Sequence, residues 1–347
     1  MNAIKILTLI LFAIMVIIGC QKENYDLVPN VNETIYVESD NASMRVNIRG
    51  NIASKVVMLV VHGGPGGAGY FYRTNAVKEK LENKYAVAYW DQRVAGASQG
   101  SNVSGTLVMA QYGIDLKKVI QTLRYKYGHD LKVFLMGQSW GGMVCSEFMT
   151  SDGNQEMVSG WIHANAVHNW KQCDNDSRAK LLAFGTAQIT LGKNVEKWTE
   201  ITDYCSTNSG EITPAISAQL NVYAYDAMQL IDGFTPFDED EVIRENLISE
   251  NIPYTNAFFN LVNGGAGTLI NSLLNIEFSS KLYKITKPVL ALSGDYDFVV
   301  PETGAIEFIQ NVCSPIKSRQ LFPNTGHNLE EQEAYVDAFI KFIDENK

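Results

Sequence analysis

Unbroken apolar runs alternate with longer segments of mixed polarity along most of this chain. Val56–Val61 is six apolar residues in a row, and Tyr85–Trp90, Leu131–Met136, Ser159–Ala164, Pro288–Leu292 and Ser318–Phe322 are further short strand candidates. Unbroken apolar runs suit strands covered on both faces in a mostly parallel sheet. Between them, Ala68–Asn83, Thr106–Tyr127, Met143–Thr150, Pro301–Val312 and Leu329–Ile343 have helical character, the second long, amphipathic and capped by Gly128. Ahead of them all, Thr34–Val37 and Met44–Ile48 alternate on either side of Asp40-Asn41, the pattern of an antiparallel hairpin. Regular alternation of strand and helix predicts the α/β class, with a mostly parallel, doubly wound sheet. Functional sites in such sheets lie at the carboxyl ends of the strands.

From Val167 to Lys281 the pattern changes. Strand-like runs vanish, helical candidates appear at Arg178–Leu191, Asn194–Cys205, Ile216–Ile231 and Asp240–Glu250, and aromatics become frequent, among them Trp170, Trp198, Tyr223, Tyr225, Phe237, Tyr254, Phe258 and Phe259. This reads as a helical cap over residues 167–281, inserted into a sheet domain made of residues 33–166 and 282–347. Its aromatics either line an apolar pocket or pack the cap's own small core. At the other end, Lys5 precedes the apolar run Ile6–Ile18, which closes on Gly19-Cys20. That run is shorter than the roughly 20 residues needed to span a bilayer and has the form of a secretory signal. Residues 1–19 are therefore expected to be a signal peptide. The stretch before Cys20 resembles the lipobox of bacterial lipoproteins, in which the signal is cut before a Cys that becomes lipidated. The resemblance implies an exported protein anchored to a membrane through Cys20, with residues 20–32 as a polar tether; an ordinary signal peptide with an incidental Cys is the alternative.

The chain has 347 residues and a net charge of −10. No basic patch interleaved with aromatics is present, so nucleic acid is not an expected partner; the acidity is read as a solubility feature. Cys145, Cys173, Cys205 and Cys313 lack the CxxC spacing of a zinc site, and no metal or cofactor is assigned. Cys173 with Cys205 is the one pair considered for a disulfide, against free buried thiols.

The candidate chemistry begins at Gly137-Gln138-Ser139-Trp140-Gly141-Gly142, a Gly-x-Ser-x-Gly between a strand and a helix. This is the nucleophile-elbow pattern: Ser139 sits in a strained turn, with Gly137 and Gly141 small because larger side chains would collide. His62-Gly63-Gly64-Pro65-Gly66-Gly67 follows an earlier strand, where backbone N–H groups can approach a ligand. A plain Gly-rich turn and a phosphate loop are the alternatives; against the latter, no Gly-Lys-Ser/Thr follows and Pro65 removes a donor. Serine needs a base to take its proton and an acid to orient that base. Of five histidines, His327 alone lies in a turn after the final strand and is taken as the base. His62 is read as bracing the Gly-rich loop, His129 as solvated, His163 as lying within a strand, and His168 as structural at the edge of the cap. Asp295 and Asp297 compete as the acid; Asp297 is chosen, with Asp295 bracing the turn. The order Ser139, Asp297, His327 brings three strand ends together.

His62-Gly63-Gly64-Pro65-Gly66, Asp91-Gln92-Arg93, Gly137-Gln138-Ser139-Trp140-Gly141-Gly142, Gly294 with Asp297, and Gly326-His327 together resemble the proline iminopeptidase group of α/β-hydrolases, serine peptidases that release N-terminal residues, especially proline, from short peptides. The resemblance runs from about Val56 to Lys347 apart from the cap. It implies the α/β-hydrolase fold, supports Asp297 as the acid, and implies oxyanion donors at the Trp140 N–H and at Gly63 or Gly64. Two departures stand out. Val94 follows Asp-Gln-Arg where the group usually has Gly, and the acidic residues with which the group's cap holds the substrate amine are not matched. Glu196, Glu200, Asp203, Asp226 and Asp232 are present in the cap but read as a solvated face. The expected substrate is a small peptide with a free N-terminus or, failing a cap carboxylate, an ester or other acyl compound. A lipid-anchored binding protein on a retired scaffold is the third reading. Ser139 excludes an Asp-nucleophile dehalogenase or epoxide hydrolase.

Overall fold

Asp40 and Asn41 both have positive φ, 39° and 65°, and reverse the chain between β1 (Asn30–Ser39) and β2 (Ala42–Asn51). Two consecutive positive φ values make the tight turn whose twist matches that of the paired strands. The hairpin is longer than its alternating core, and its antiparallel register runs from Asn30 opposite Asn51 to Ser39 opposite Ala42. These come from a computed structural model that describes residues 30–100, 107–237, 269, 272–330 and 332–347. The signal segment, Cys20, the expected helix at 240–250, and Tyr254, Phe258 and Phe259 lie outside the described residues.

The remaining strands are β3 (Val56–Val61), β4 (Ala86–Trp90), the two-residue β5 (Gln99–Gly100), β6 (Lys132–Ser139), β7 (Gly160–Ala166), β8 (Val289–Gly294) and β9 (Lys317–Phe322). The sheet order is β1-β2-β4-β3-β6-β7-β8-β9, with β5 paired to β2. Pairing is antiparallel around β2 and parallel from β4 to β9. Helices α1 (Met109–Tyr127), α2 (Trp140–Thr150) and α6 (Glu302–Asn311) contribute Leu116, Val144 and Phe308 to one core; α7 (Gln332–Asn346) contributes Phe339 and Ile343 to the other. β3 divides by parity between them, Val57, Leu59 and Val61 into the first and Val56, Met58 and Val60 into the second. That explains its six apolar residues: successive side chains point to opposite faces and both faces are covered.

The described part of the insertion holds α3 (Trp170–Thr190), α4 (Val195–Thr207) and α5 (Pro214–Gln229), packed around Trp198, Ile201, Leu220 and Phe298. The first of these starts eight residues before the expected Arg178, because Asn169 caps it by accepting a hydrogen bond from the Gln172 N–H. The single helix expected over 68–83 is broken into a short turn at Gly69–Tyr72 and a helical stretch from Val77 to Lys84. Gly69 explains the break: a Cβ there would lie 2.7–2.9 Å from the backbone of Tyr89 and Trp90, so the chain is pressed against β4 before a helix can start. The first strand takes up Asn30, Val31 and Asn32, so the tether expected over residues 20–32 is shorter by three residues.

Candidate active site

Ser139 ends β6 and caps α2 with φ 53° and ψ −123°. A non-glycine residue held there costs roughly 1–3 kcal/mol and persists only where its surroundings enforce it. They do so by close approach. A Cβ on Gly137 would lie 2.9 Å from Cys145 Sγ and from the Gly141 carbonyl, and one on Gly141 would run into the Val61 carbonyl oxygen. The elbow expected from the sequence is therefore built as expected, with the hydroxyl at the carboxyl end of a central strand.

His327 and Asp297, 30 residues apart, meet at 2.8 Å between Nδ1 and Oδ2, both buried. The other carboxylate oxygen of Asp297 accepts the N–H groups of Val299 (2.9 Å) and Val300 (2.7 Å). A carboxylate accepts only, so the proton of this pair sits on Nδ1 and leaves Nε2 as the basic nitrogen. Asp295 accepts from the Thr325 N–H at 3.2 Å and braces the His327 turn, as expected of it. Two braces went unread. Asn165, at the end of β7, donates to the carbonyls of Gly326 and His327 and accepts from Gly294 N–H. Glu330 accepts the N–H groups of Gly326 and Asn328. From above, α3 clamps the acid turn: Lys180 donates to the carbonyls of Asp295 and Asp297, Ser177 to Phe298 and Cys173 to Val299.

Ser139 and His327 line one cavity of about 670 Å³. The contact at His327 Nε2 is with the amide nitrogen of Gln138, 3.4 Å away. A contact of that length is a weak hydrogen bond.

The glycine loop is held from behind by the Asp91-Gln92-Arg93 segment. The His62 ring contacts the Gly63 carbonyl at 2.7 Å and accepts the Gln92 N–H, while the Gln92 amide spans the His62 carbonyl and the Trp140 indole N–H. Burial pushes the His62 ring pKa down, which keeps it neutral and able to accept. His62 thus braces the loop, as its sequence position suggested. Gly63 and Gly64 stand at the cavity wall, but the Gly63 N–H already donates to the Tyr72 hydroxyl at 3.0 Å. The Trp140 N–H opens α2, one of the first-turn donors with no acceptor inside the helix.

One cap residue on the cavity wall escaped the sequence reading. Asp174 lies one helical turn after Trp170 on α3; both line the cavity with Phe71, Ser217 and Tyr225. Its Oδ2 is buried without a hydrogen-bond partner, and burial pushes its carboxyl up to about 6. The capping signal of Asn169 was the clue that would have placed it on a helix. None of the five acids considered earlier lines the cavity; Glu200 and Asp226 pair with Lys197, and Asp232 with Lys193. His129 is exposed. His163 and His168 are buried beside Phe308, away from the cavity. Cys145, Cys173, Cys205 and Cys313 are free, so Cys173 and Cys205 form no disulfide.

A family model described as the alpha/beta hydrolase fold matches residues 56–334. The chain is 23% identical over 318 residues to a probable aminopeptidase, YbaC, of Bacillus subtilis (strain 168), covering 87% of this chain and 93% of that one. Among solved structures it resembles a proline iminopeptidase from Mycobacterium smegmatis (TM-score 0.61, 19% identity, 90% of this chain and 98% of that one). It also resembles an esterase from Exiguobacterium antarcticum (TM-score 0.59, 19% identity, 90% and 100%).

Proposed function

This chain belongs to the α/β-hydrolase family, and we propose that within it the protein is a serine hydrolase that releases N-terminal residues from short peptides. In this reading Ser139 is the nucleophile, His327 the general base and Asp297 the group that orients it. Ser139 Oγ attacks the carbonyl carbon, its proton passes to His327 Nε2, and the π pair moves onto the carbonyl oxygen. Collapse expels the amine, which takes the proton from His327 and leaves the acyl group on Ser139. Water then repeats the sequence and restores the serine. Trp140 N–H and Gly64 of the glycine loop are assigned to the developing oxyanion, since the Gly63 N–H is held by the Tyr72 hydroxyl.

The observation that carries the peptide reading is Asp174. A buried carboxylate oxygen without a hydrogen bond is costly, and a substrate ammonium would give Oδ2 the donor that neighbouring Ser217 and Arg178 do not supply. It shares its cavity with Ser139, and Trp170, Phe71 and Tyr225 offer apolar walls to a side chain. Asp174 thus supplies the cap carboxylate that the sequence reading could not find. The likeness to an aminopeptidase supports the same choice; the likeness to an esterase keeps ester substrates in the test. Export and a lipid anchor at Cys20 complete the proposal.

The test is a panel of aminoacyl amides and short-chain esters assayed with the parent, Ser139→Ala and Asp174→Asn. Expected are hydrolysis of amides with a free amine, its loss in Ser139→Ala, and a rise in KM of about tenfold or more in Asp174→Asn for amine-bearing substrates only. Ester hydrolysis well ahead of every amine-bearing amide in kcat/KM, with amide turnover indifferent to Asp174→Asn, would select an ester substrate instead.

A further inference from the structure

We propose, on the reading of Ser139 as nucleophile, that the Tyr72 phenol is a catalytic residue that donates a hydrogen bond to the oxyanion in place of the Gly63 N–H. Tyr72 closes the short turn after the glycine loop and lines the cavity. Its oxygen lies 3.0 Å from Gly63 N and 2.6 Å from Gln138 Oε1. Gln138 in turn donates from Nε2 to the His327 carbonyl at 3.0 Å.

The two ends of this chain fix every proton in it. The His327 carbonyl only accepts, so the amide nitrogen of Gln138 faces it and Oε1 faces Tyr72. Gly63 N–H only donates, so the phenol oxygen accepts there and its own proton points at Gln138 Oε1. The Gly63 N–H is consequently held by the phenol oxygen, and the phenol proton, which bonds Gln138 Oε1, is the donor that a single rotation about the C–O bond can redirect. Its position suits that task. A Cβ on Gly63 would lie 3.2 Å from Ser139 Cβ and 3.4 Å from the phenol oxygen, so nucleophile and phenol flank the same glycine. A hydrogen bond accepted from Gly63 polarises the O–H and strengthens its donation, because bonds in a chain reinforce one another. Burial pushes the phenol ionisation up, so the proton is present throughout the neutral range.

The experiment compares the full chain with its Tyr72→Phe variant on a substrate that the parent hydrolyses. Losing an oxyanion donor lowers kcat by about 10²-fold. KM should hold, and an aldehyde inhibitor, whose adduct with Ser139 carries the same oxyanion, should bind weaker by the same factor while the product amino acid binds as before. A kcat at or above the parent value, which is what freeing the Gly63 N–H would produce, overturns the proposal, as does a loss confined to KM. Should Tyr72→Phe fail to fold, 3-fluorotyrosine at position 72 keeps the contacts and alters phenol acidity; kcat must change with KM constant, and indifference overturns the proposal. Hydrolysis surviving Ser139→Ala overturns the nucleophile reading and this one together. A dead Ser139→Ala beside a fully active Tyr72→Phe overturns this one alone.

Discussion

Asp174 on the cavity wall and Asp297 behind His327 are the same residue type, held in opposite ways. Asp297 has both oxygens engaged, one by two backbone N–H groups and the other by His327. Asp174 has an oxygen with no partner, and its carboxyl is pushed up to about 6 by burial. The carboxylate that would hold an ammonium therefore forms only as pH rises through about 6. For an amine-bearing substrate, kcat/KM should climb across that window and level above it. An ester of the same acyl size without an amine does not report this group, so the difference between the two profiles isolates it. In Asp174→Asn the difference should vanish; profiles that already coincide in the parent would remove Asp174 from substrate recognition. Sequence reasoning reached Ser139, Asp297 and His327 because each follows a strand end, and strand ends show in apolar runs. It missed Asp174 and Tyr72 for different reasons. Asp174 lies in a helix whose cap was overlooked. Tyr72 reaches the site through its bonds to Gly63 and Gln138, contacts between separate segments that no local pattern encodes.

At the scale of elements, the segment Asp91-Gln92-Arg93 joins the hairpin, the glycine loop and α1. Asp91 accepts from Arg45 on β2 and from the Gly69 and Ala97 N–H groups. Arg93 makes a two-pronged contact with Asp115 of α1 at 2.5 and 2.8 Å, and Asp115 also accepts from Ser39 at the hairpin tip. Arg93 and Asp115 are 2% and 0% exposed. Their net contribution is small if both are replaced by apolar residues, but removing one leaves a buried charge without a partner. Asp115→Ala should therefore lower unfolding free energy by about 3–5 kcal/mol. Urea titration should show this as a lower midpoint with an unchanged slope. The double variant Arg93→Met, Asp115→Leu should recover most of the loss. A single-variant loss below about 1 kcal/mol would mean that water reaches the pair, as at exposed ion pairs. Val94 follows at φ 51°, so the left-handed turn that glycine would make without strain is made here by a β-branched residue.

For the whole molecule, the sheet was legible and the insertion only partly so, for one physical cause. A strand covered on both faces must be apolar throughout, whereas the cap helices bury a narrow stripe and leave the rest to solvent, so their ends blur in the sequence. The N-terminus poses the corresponding question for the molecule's place in the cell. With β1 beginning at Asn30, nine residues, Gln21–Pro29, separate it from Cys20. Extended, the ten Cα–Cα steps from Cys20 to Asn30 span about 35 Å, close to the diameter of a small domain. A lipid on Cys20 would thus keep the catalytic domain against the membrane surface instead of letting it range freely, and short peptides would have to reach the cavity beside that surface. Metabolic labelling with radioactive palmitate should mark the parent, with a mature chain that starts at an acylated Cys20, and leave Cys20→Ala unmarked. A parent found in the membrane fraction without label would show that something other than Cys20 holds it there.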